Sequence, residues 1–412
     1  MVRKRETDVV IVGAGPVGLF AANLLGGRGL GAQIFDQDWR TALHTYAAIL
    51  HPSTLRLLAS VGLERALLGS GYRLEKVGFY ERDTLHAQLD FTQLDPEYPY
   101  LFIVPQSALE SAFEERLRAA HKSVDWNHRI QEISEEERSV VVTVARLDKV
   151  TSGYPIAKTE WEVTKQSRVR ASYLIGADGY HSFTRRHLGL DYERLGDLIN
   201  FAVFEMEIER GAGREARVYL NEDETNAYLP LGEKRCRWSF QIKMPAKKRR
   251  PDAEDLARFL AERAPWFGPV PGELLWSSYV GFDQRLASGF GRGRIWLAGD
   301  ALHMNGPIGA QSINTGLREA CDLSNALADI LQERAGSEIL ASYAAERHAE
   351  WHRLLGPDRV RAVPGANAWV ARRAERILPC VPSTGADLEK LLAQIGLELS
   401  SQPCDCDRWQ DA

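Results

Sequence analysis

The chain has 412 residues, 44% of them hydrophobic and 26% charged, with a formal net charge of −5. Length and balance predict a globular protein of two or three domains, or one elaborate one. No apolar run approaches a membrane span, and the mild acidity gives no reason to expect nucleic acid or an acidic membrane as partner.

Five cysteines, Cys236, Cys321, Cys380, Cys404 and Cys406, are odd in number and scattered, which reads as reduced thiols. Cys404-Asp405-Cys406 lacks the spacer and the second ligand pair of a metal site, so no metal is expected. Arg3-Lys4-Arg5 before an apolar stretch imitates a secretory signal. Asp8 and the Gly15-Pro16 break argue against one, and the expectation is a cytoplasmic protein without a targeting segment.

In chain order, Val9-Val10-Ile11-Val12 reads as a strand buried on both faces. Gly13-Ala14-Gly15-Pro16-Val17-Gly18 follows, and Leu19 to Leu25 continues in helix formers. Gly13 suits the tight turn, Gly15 lets backbone approach a pyrophosphate, and Gly18 lets helix and strand pack closely. The helix N-terminus offers N–H groups and a positive dipole end to phosphates. A second strand, Ala32 to Phe35, delivers Asp36, placed to accept from a ribose. Together these predict a dinucleotide site.

Further on, His51 to Val61 reads as a helix and Leu74 to Tyr80 and His86 to Phe91 as strands. Gln106 to Ala120 reads as an amphipathic helix, with Leu109, Phe113 and Leu117 at helical spacing. Val140 to Val144, Trp161 to Val169 and Tyr173 to Ile175 restore strand character. Between Asp197 and Met244, strand runs such as Phe201 to Met206 and Arg237 to Ile242 alternate with turns, which implies an antiparallel sheet inserted into an α/β frame. Lys247-Lys248-Arg249-Arg250 reads as a solvated turn before a helix starting near Pro251-Asp252. From Gly316 the chain is mostly helical. Residues 379–412 read as a peripheral helix, Asp387 to Ile395, and a loose tail.

Two more motifs close strands. Gly176-Ala177-Asp178-Gly179 follows Leu174-Ile175, where an Asp among small residues either approaches a ribose or fixes the loop. Gly299-Asp300-Ala301-Leu302-His303 follows the strand Arg294 to Ala298, at the carboxyl end where open α/β sheets bind ligands. Asp300 is placed to accept from hydroxyls. Gly306 to Asn314 then leads into a helix whose N-terminus favours negative charge. His303 reads either as an acid–base group or as a histidine packed beside a cofactor, and is kept as a cofactor-site residue.

With these motifs, residues 7 to 355 resemble the single-component FAD-dependent aromatic hydroxylases of the para-hydroxybenzoate hydroxylase type. The resemblance implies an α/β fold: a Rossmann-type FAD-binding domain, an inserted mostly antiparallel β-sheet substrate domain and a helical C-terminal region. The expected division is 1–75, 101–180 and 280–355 for FAD, 76–100 and 181–279 for substrate, and 356–412 for the C-terminal region. It places Gly13, Gly15, Pro16, Val17, Gly18 and Asp36 on the ADP half of FAD. Asp178 and Gly179 fall at FAD and nicotinamide, Gly299 and Asp300 at the ribityl chain, and Gln106 near the flavin. Pro307, Gly309, Ile313 and Asn314 match the loop beside the ring. The chain departs from the family pattern in having no Arg between Leu43 and Ala48, where His44 or Arg40 is the substitute. It also reads Gly309-Ala310-Gln311-Ser312 where many relatives read Gly-Gly-Gln-Gly, with Ser312 narrowing the flavin's freedom. It ends before the thioredoxin-like domain of some phenol hydroxylases.

The implied activity is a monooxygenase in which NAD(P)H reduces FAD. O2 then forms a flavin C4a-hydroperoxide that oxygenates an aromatic or polyketide-like small molecule. A single glycine fingerprint implies no second nucleotide fold for the nicotinamide. The cofactor carries the hard chemistry, so no catalytic residue is named. Tyr228, Pro230, Trp238 and Phe240 are candidate pocket residues, although aromatics on such strands are more often core. Alternatives are an alkene reductase of the geranylgeranyl-reductase type and a non-catalytic FAD-binding protein; a halogenase lacks its Trp-x-Trp-x-Ile-Pro segment. Monomer and homodimer both stay open.

Overall fold

The computed structural model describes residues 5–39, 47–152, 158–209, 211–243, 249–268, 271–306, 308–355 and 359–400. Strand Arg5–Val12 pairs in parallel with Ala32–Phe35 on one side and with the long strand Lys158–Gly176 on the other. Ile295–Leu297 continues the parallel set beyond Lys158–Gly176, and Val124–Asp125 continues it beyond Ala32–Phe35. β-Branched and leucine side chains at Val9, Val10, Ile11, Leu174 and Ile175 are fully buried, as a sheet covered on both faces requires. Helices Pro16–Gly27, Gln106–Ala119 and Gln311–Leu331 pack around this frame.

Register carries the functional consequence. Val12 stands opposite Gly176, and Gly176 opposite Leu297, so all three motifs leave the same sheet edge on adjacent strands. Backbone bonds tie the exits together: Ala177 N–H donates to Val12 O at 2.8 Å and Ala298 N–H to Gly176 O at 3.0 Å.

Trp161 to Val169 and Tyr173 to Ile175, read as separate strands, are one strand, Lys158–Gly176, hairpinned to Ser139–Ser152. Arg170, Ala171 and Ser172 fill the gap between the two runs, and the polar residues among them are accommodated because antiparallel ribbons tolerate a wet face.

A second sheet has seven strands, ordered Pro271–Phe282, Ile199–Ile208, Arg235–Ile242, Thr225–Gly232, Glu215–Leu220, Lys76–Glu81 and Thr84–Asp90. Every pairing is antiparallel except Glu215–Leu220 with Lys76–Glu81. Its outer face carries Phe204, Tyr219, Trp238 and Phe240, which form their own core with Leu256 and Phe259 of helix Ala253–Arg263. Asp252 caps that helix, accepting from Glu254 N–H and Asp255 N–H; Lys247 and Lys248 lie outside the described residues.

The C-terminal region corrects the expectation of a peripheral helix. Helices Ala368–Ile377 and Gly385–Gln394 bury Trp369, Ile377, Leu388, Leu391 and Leu392 in the main core, and the segment joining them adds Leu378 and Val381. An amphipathic 10-residue helix reads as peripheral from its pattern alone; a deep apolar stripe docks it. Cys404, Cys406 and the tail from 401 lie outside the described residues.

Candidate functional site

Gly13, at the end of the first strand, has φ +101°, and a Cβ there would lie 2.2 Å from Ala177 O. A Cβ on Gly18 would lie 2.0 Å from Gly13 O. Both positions therefore exclude any side chain. Gly15 differs: its Cβ direction is open, nothing lying within 4 Å, and it caps helix Pro16–Gly27 without a side-chain hydrogen bond. The uncapped N–H groups and positive dipole end of that helix meet open space, a cradle suited to a phosphate.

Asp36 sits beside this cradle. It accepts from Ala14 N–H at 2.7 Å and Asp38 N–H at 2.9 Å, so it holds the glycine loop while each oxygen keeps a lone pair. Burial raises its carboxyl above the usual range, against those two backbone donors. Nearby, Gln106 opens helix Gln106–Ala119 and donates to Glu110 at 2.8 Å. Glu110 is buried, desolvation raises its carboxyl against that bond, and its Oε2 has no protein partner. Sequence reasoning missed Glu110, although the Gln106–Glu110 spacing of four on a helix is a legible signal.

Asp178 takes the loop-fixing alternative. Its carboxylate accepts from Ser182 Oγ at 2.6 Å, Thr184 N–H at 2.9 Å and Thr184 Oγ1 at 3.0 Å. Gly179, at φ +70°, has open space at its Cβ direction.

In the third motif, Gly299 has φ +69°, and Cβ atoms on Gly299 and on Gly316 would each lie 2.9 Å from Val17 Cγ2. Val17 thus wedges between the motif turn and helix Gln311–Leu331. Asp300 reaches solvent from a recess; desolvation raises its carboxyl, with Glu319 adding and His303 opposing. Its backbone is held by Tyr192, whose hydroxyl donates to Asp300 O at 3.0 Å, while Arg185 donates to Ala301 O at 2.8 Å.

His303 is a core residue. It has 0% exposure, stacks on Trp351 at 3.9 Å and pairs with Glu319 at 2.8 Å. Glu319 also accepts from Gly299 N–H at 2.9 Å and Trp351 Nε1–H at 3.1 Å. Desolvation opposes ionisation of Glu319, yet His303 and these donors together hold its carboxyl below the usual range. No local pattern in the sequence pairs Glu319 with His303, sixteen residues away.

Beyond it, the loop Gly306 to Ala310 meets the C-terminal segment. A Cβ on Gly309 would lie 2.6 Å from Pro379 O, and Gln311 donates to Val381 O at 3.2 Å. Asn314 is wholly engaged: it donates to Ile49 O and Ala310 O, both at 2.7 Å, and accepts from His51 N–H at 2.9 Å and Thr54 Oγ1 at 2.7 Å. Ile313 is half-buried in the first turn, and Ser312 accepts from Asn305 N–H at 2.9 Å. Pro307, His44 and Arg40 lie outside the described residues. His51, another residue the sequence did not reveal, pairs its Nε2 with Gly309 O at 3.0 Å. Burial pushes its pKa down to about 3, Arg318 adding and the Gly309 bond opposing.

Between this loop and the inner face of the seven-stranded sheet lies a cavity of ≈ 90 Å³, bordered by Ile49, Leu101, Ala227, Leu229, Ile308 and Ala310. Arg237 and Ser239 also reach it. Arg237 donates to Glu205 through Nε at 3.0 Å and through Nη2. The expected lining of Tyr228, Pro230, Trp238 and Phe240 needs correction. Trp238 and Phe240 face the other side of the sheet, and the Tyr228 ring packs on Trp238 and Phe267, so Tyr228 only borders the cavity. Pro230 alternates with Leu229 and shares the far face. One residue of alternation separates the two faces.

The donor set fits a flavin adenine dinucleotide: an open phosphate cradle at Gly15, one acid at Asp36, and a second at Asp300 on an adjacent motif. The family model described as an FAD binding domain matches residues 6–356. This chain belongs to that family. Among relatives, the FAD-binding-domain chain is 26% identical over 405 residues to a 3-(3-hydroxy-phenyl)propionate/3-hydroxycinnamic acid hydroxylase of Mycolicibacterium smegmatis, covering 96% of this chain and 67% of that one. It is 28% identical over 377 residues to a 6-methylpretetramide 4-monooxygenase of Streptomyces rimosus, covering 89% and 62%. It thus spans about two thirds of the length of these curated relatives. The fold matches p-nitrophenol 4-monooxygenase PnpA of Pseudomonas putida DLL-E4 with a TM-score of 0.74 at 21% identity, covering 95% of this chain and 97% of that one. Among the described residues, no helix is long and apolar enough to cross a membrane.

Proposed function

We propose that this member of the FAD binding domain family is an NAD(P)H-consuming monooxygenase of an aromatic or polyketide-like small molecule. The observation that carries the reading is the apolar cavity between the Ile308–Ala310 loop and the sheet face, beside a site built for FAD. The names of the relatives, a hydroxylase of phenolic acids and a polyketide-type monooxygenase, support it. FAD, when bound, supplies hydride acceptance and oxygen activation.

The chain's own residues bind and orient. The N–H groups beyond Gly15 take the pyrophosphate, Asp36 the adenosine ribose and Asp300 the ribityl hydroxyls, with Gln106 and Gly179 alongside. Pro16, Val17, Gly18, Asp178, Gly299 and Asn314 act behind them, fixing the loops. Gly309 and Ile313, on the loop and the first turn that follow, would lie toward the ring, and Pro307 keeps the role that the family resemblance gives it. Ile49, Leu101, Ala227 and Leu229 keep water from the reacting edge and leave room for an apolar ring. The division into FAD-binding, substrate and C-terminal parts, and a cytoplasmic location, belong to the same proposal.

The test is oxygen uptake and NAD(P)H oxidation by the purified yellow protein with and without phenols and polyketide-like aromatics. Acceleration of both by one compound, with little peroxide released, supports the reading. Nicotinamide oxidation without oxygen demand would move it to a reductase.

A further inference from the structure

A second cavity, of ≈ 310 Å³, lies on the same sheet face as the first. The small cavity rests on Ala227, Leu229, Arg237 and Ser239, and the large one on Thr225 and Gln241. Thr225, Ala227 and Leu229 alternate along one strand; Arg237, Ser239 and Gln241 alternate along its neighbour, with Ala227 opposite Ser239. The floor is therefore continuous. Division comes from above, because Ile308 of the flavin loop and Cys380 of the C-terminal segment line both cavities.

Charges in the large cavity are unevenly committed. Arg376 donates to Asn221 O, Glu222 O and Glu224 O at 2.7 to 2.9 Å. Arg359 is held by Glu375 and Leu354 O, and Asp283 by Arg194 and Arg285. Gln284 uses its amide N–H on Asn305 at 3.0 Å, leaving its oxygen free. Gln241 accepts from Thr225 N–H at 2.7 Å, which leaves the two N–H of its amide as donors. Asp197 and Asp223 also line the cavity at its exposed rim; neither has a side-chain hydrogen bond among the described residues, although Arg376 lies within electrostatic reach of Asp223. The uncommitted groups are mostly acceptors, two of them charged.

We propose that the two cavities are compartments of one substrate site, with Ile308 and Cys380 as the constriction between them. The substrate has an aromatic ring in the small compartment and a hydrogen-bond-donating arm, hydroxyl or ammonium, in the large one. A carboxylate arm would face Asp197 and Asp223 and is disfavoured. This rests on the monooxygenase reading above, which places the ring beside the flavin.

The test titrates the FAD-loaded protein with phenol, 4-(2-aminoethyl)phenol, 4-(2-hydroxyethyl)phenol and 4-hydroxyphenylacetate, reading Kd from the flavin absorption spectrum. Oxygen uptake with NAD(P)H is followed in parallel. The ammonium and hydroxyl arms are expected to bind about tenfold more tightly than the carboxylate. The double variant Asp197→Asn/Asp223→Asn should shrink the ammonium-to-carboxylate ratio roughly fivefold, with phenol unchanged. Cys380→Ala should shift the armed phenols roughly threefold more than it shifts phenol, because Cys380 borders both compartments. Equal Kd for all arms, a preference for the carboxylate, or a Cys380→Ala effect equal on phenol and armed phenols overturns the compartments. So does a spectrum that no phenol perturbs. Lack of discrimination with phenol-stimulated oxygen uptake removes the compartments and keeps the monooxygenase. Discrimination without stimulated uptake removes the monooxygenase and keeps the compartments.

Discussion

Gly13 and Ala177, 164 residues apart, meet so closely that a Cβ on the first would lie 2.2 Å from the carbonyl oxygen of the second. This contact locks the phosphate loop to the Asp178 turn. Gly13→Ala combines that clash with a side chain at φ +101°, and should cost about 3 kcal/mol or more. Expected are a lowered Tm and a colourless purified protein, checked by thermal unfolding and the flavin-to-protein absorbance ratio. A yellow variant with unchanged Tm would refute the contact.

Glu319 gathers His303, Gly299 N–H and Trp351 beneath the Asp300 turn. Glu319→Gln removes one member of a fully buried pair, a change that typically costs about 3–5 kcal/mol. The turn loses its support, so FAD should dissociate more readily as well. FAD affinity by fluorescence and unfolding by denaturant would both fall; a loss of stability with unaltered FAD affinity would separate the cluster from the site.

His51 gives a pH dependence with a defined sign. Its folded pKa, about 3, lies below its ordinary value of 6.5, so the unfolded chain binds the extra proton first. Stability is full above pH 6.5 and declines as pH falls toward 3. His51→Gln keeps a donor for Gly309 O and should flatten Tm against pH over the upper part of that window, pH 6.5 to 5. Parallel curves for the two proteins would show that His51 does not set the slope.

Gly309 touches the C-terminal segment rather than solvent. Gly309→Ala places a methyl 2.6 Å from Pro379 O, so loop and segment must separate. The fold should survive, because neither partner lies in the sheets. Flavin binding should weaken roughly tenfold, read by titrating the apoprotein with FAD. Unaltered affinity would mean the segment does not shape the flavin loop.

The three motifs were legible because each is a local device: a glycine forced by a turn or a close approach, an acid at a strand end. Helix Gln106–Ala119 and the strands of the second sheet were legible for the same reason, through periodicity. Aspartate roles were less so. Asp178 and Asp300 look alike in sequence, yet three protein donors occupy the first while the second reaches solvent. Composition of the flanking residues does not record who donates.

Sequence by itself determined the parallel frame, the dinucleotide cradle and the presence of an inserted sheet, since those follow from backbone conformation and short-range spacing. Only the tertiary structure decided which face of that sheet meets the flavin loop. Alternation separates Arg237 and Ser239 from Trp238 and Phe240, but both faces of the sheet bury apolar side chains, so pattern did not say which one meets the loop; helix Ala253–Arg263 chose, by covering the aromatic side. Tertiary structure also brought Pro379, Cys380 and Val381 against Gly309 and Gln311. Contacts between residues some seventy positions apart depend on how helices dock, and local sequence holds no trace of that.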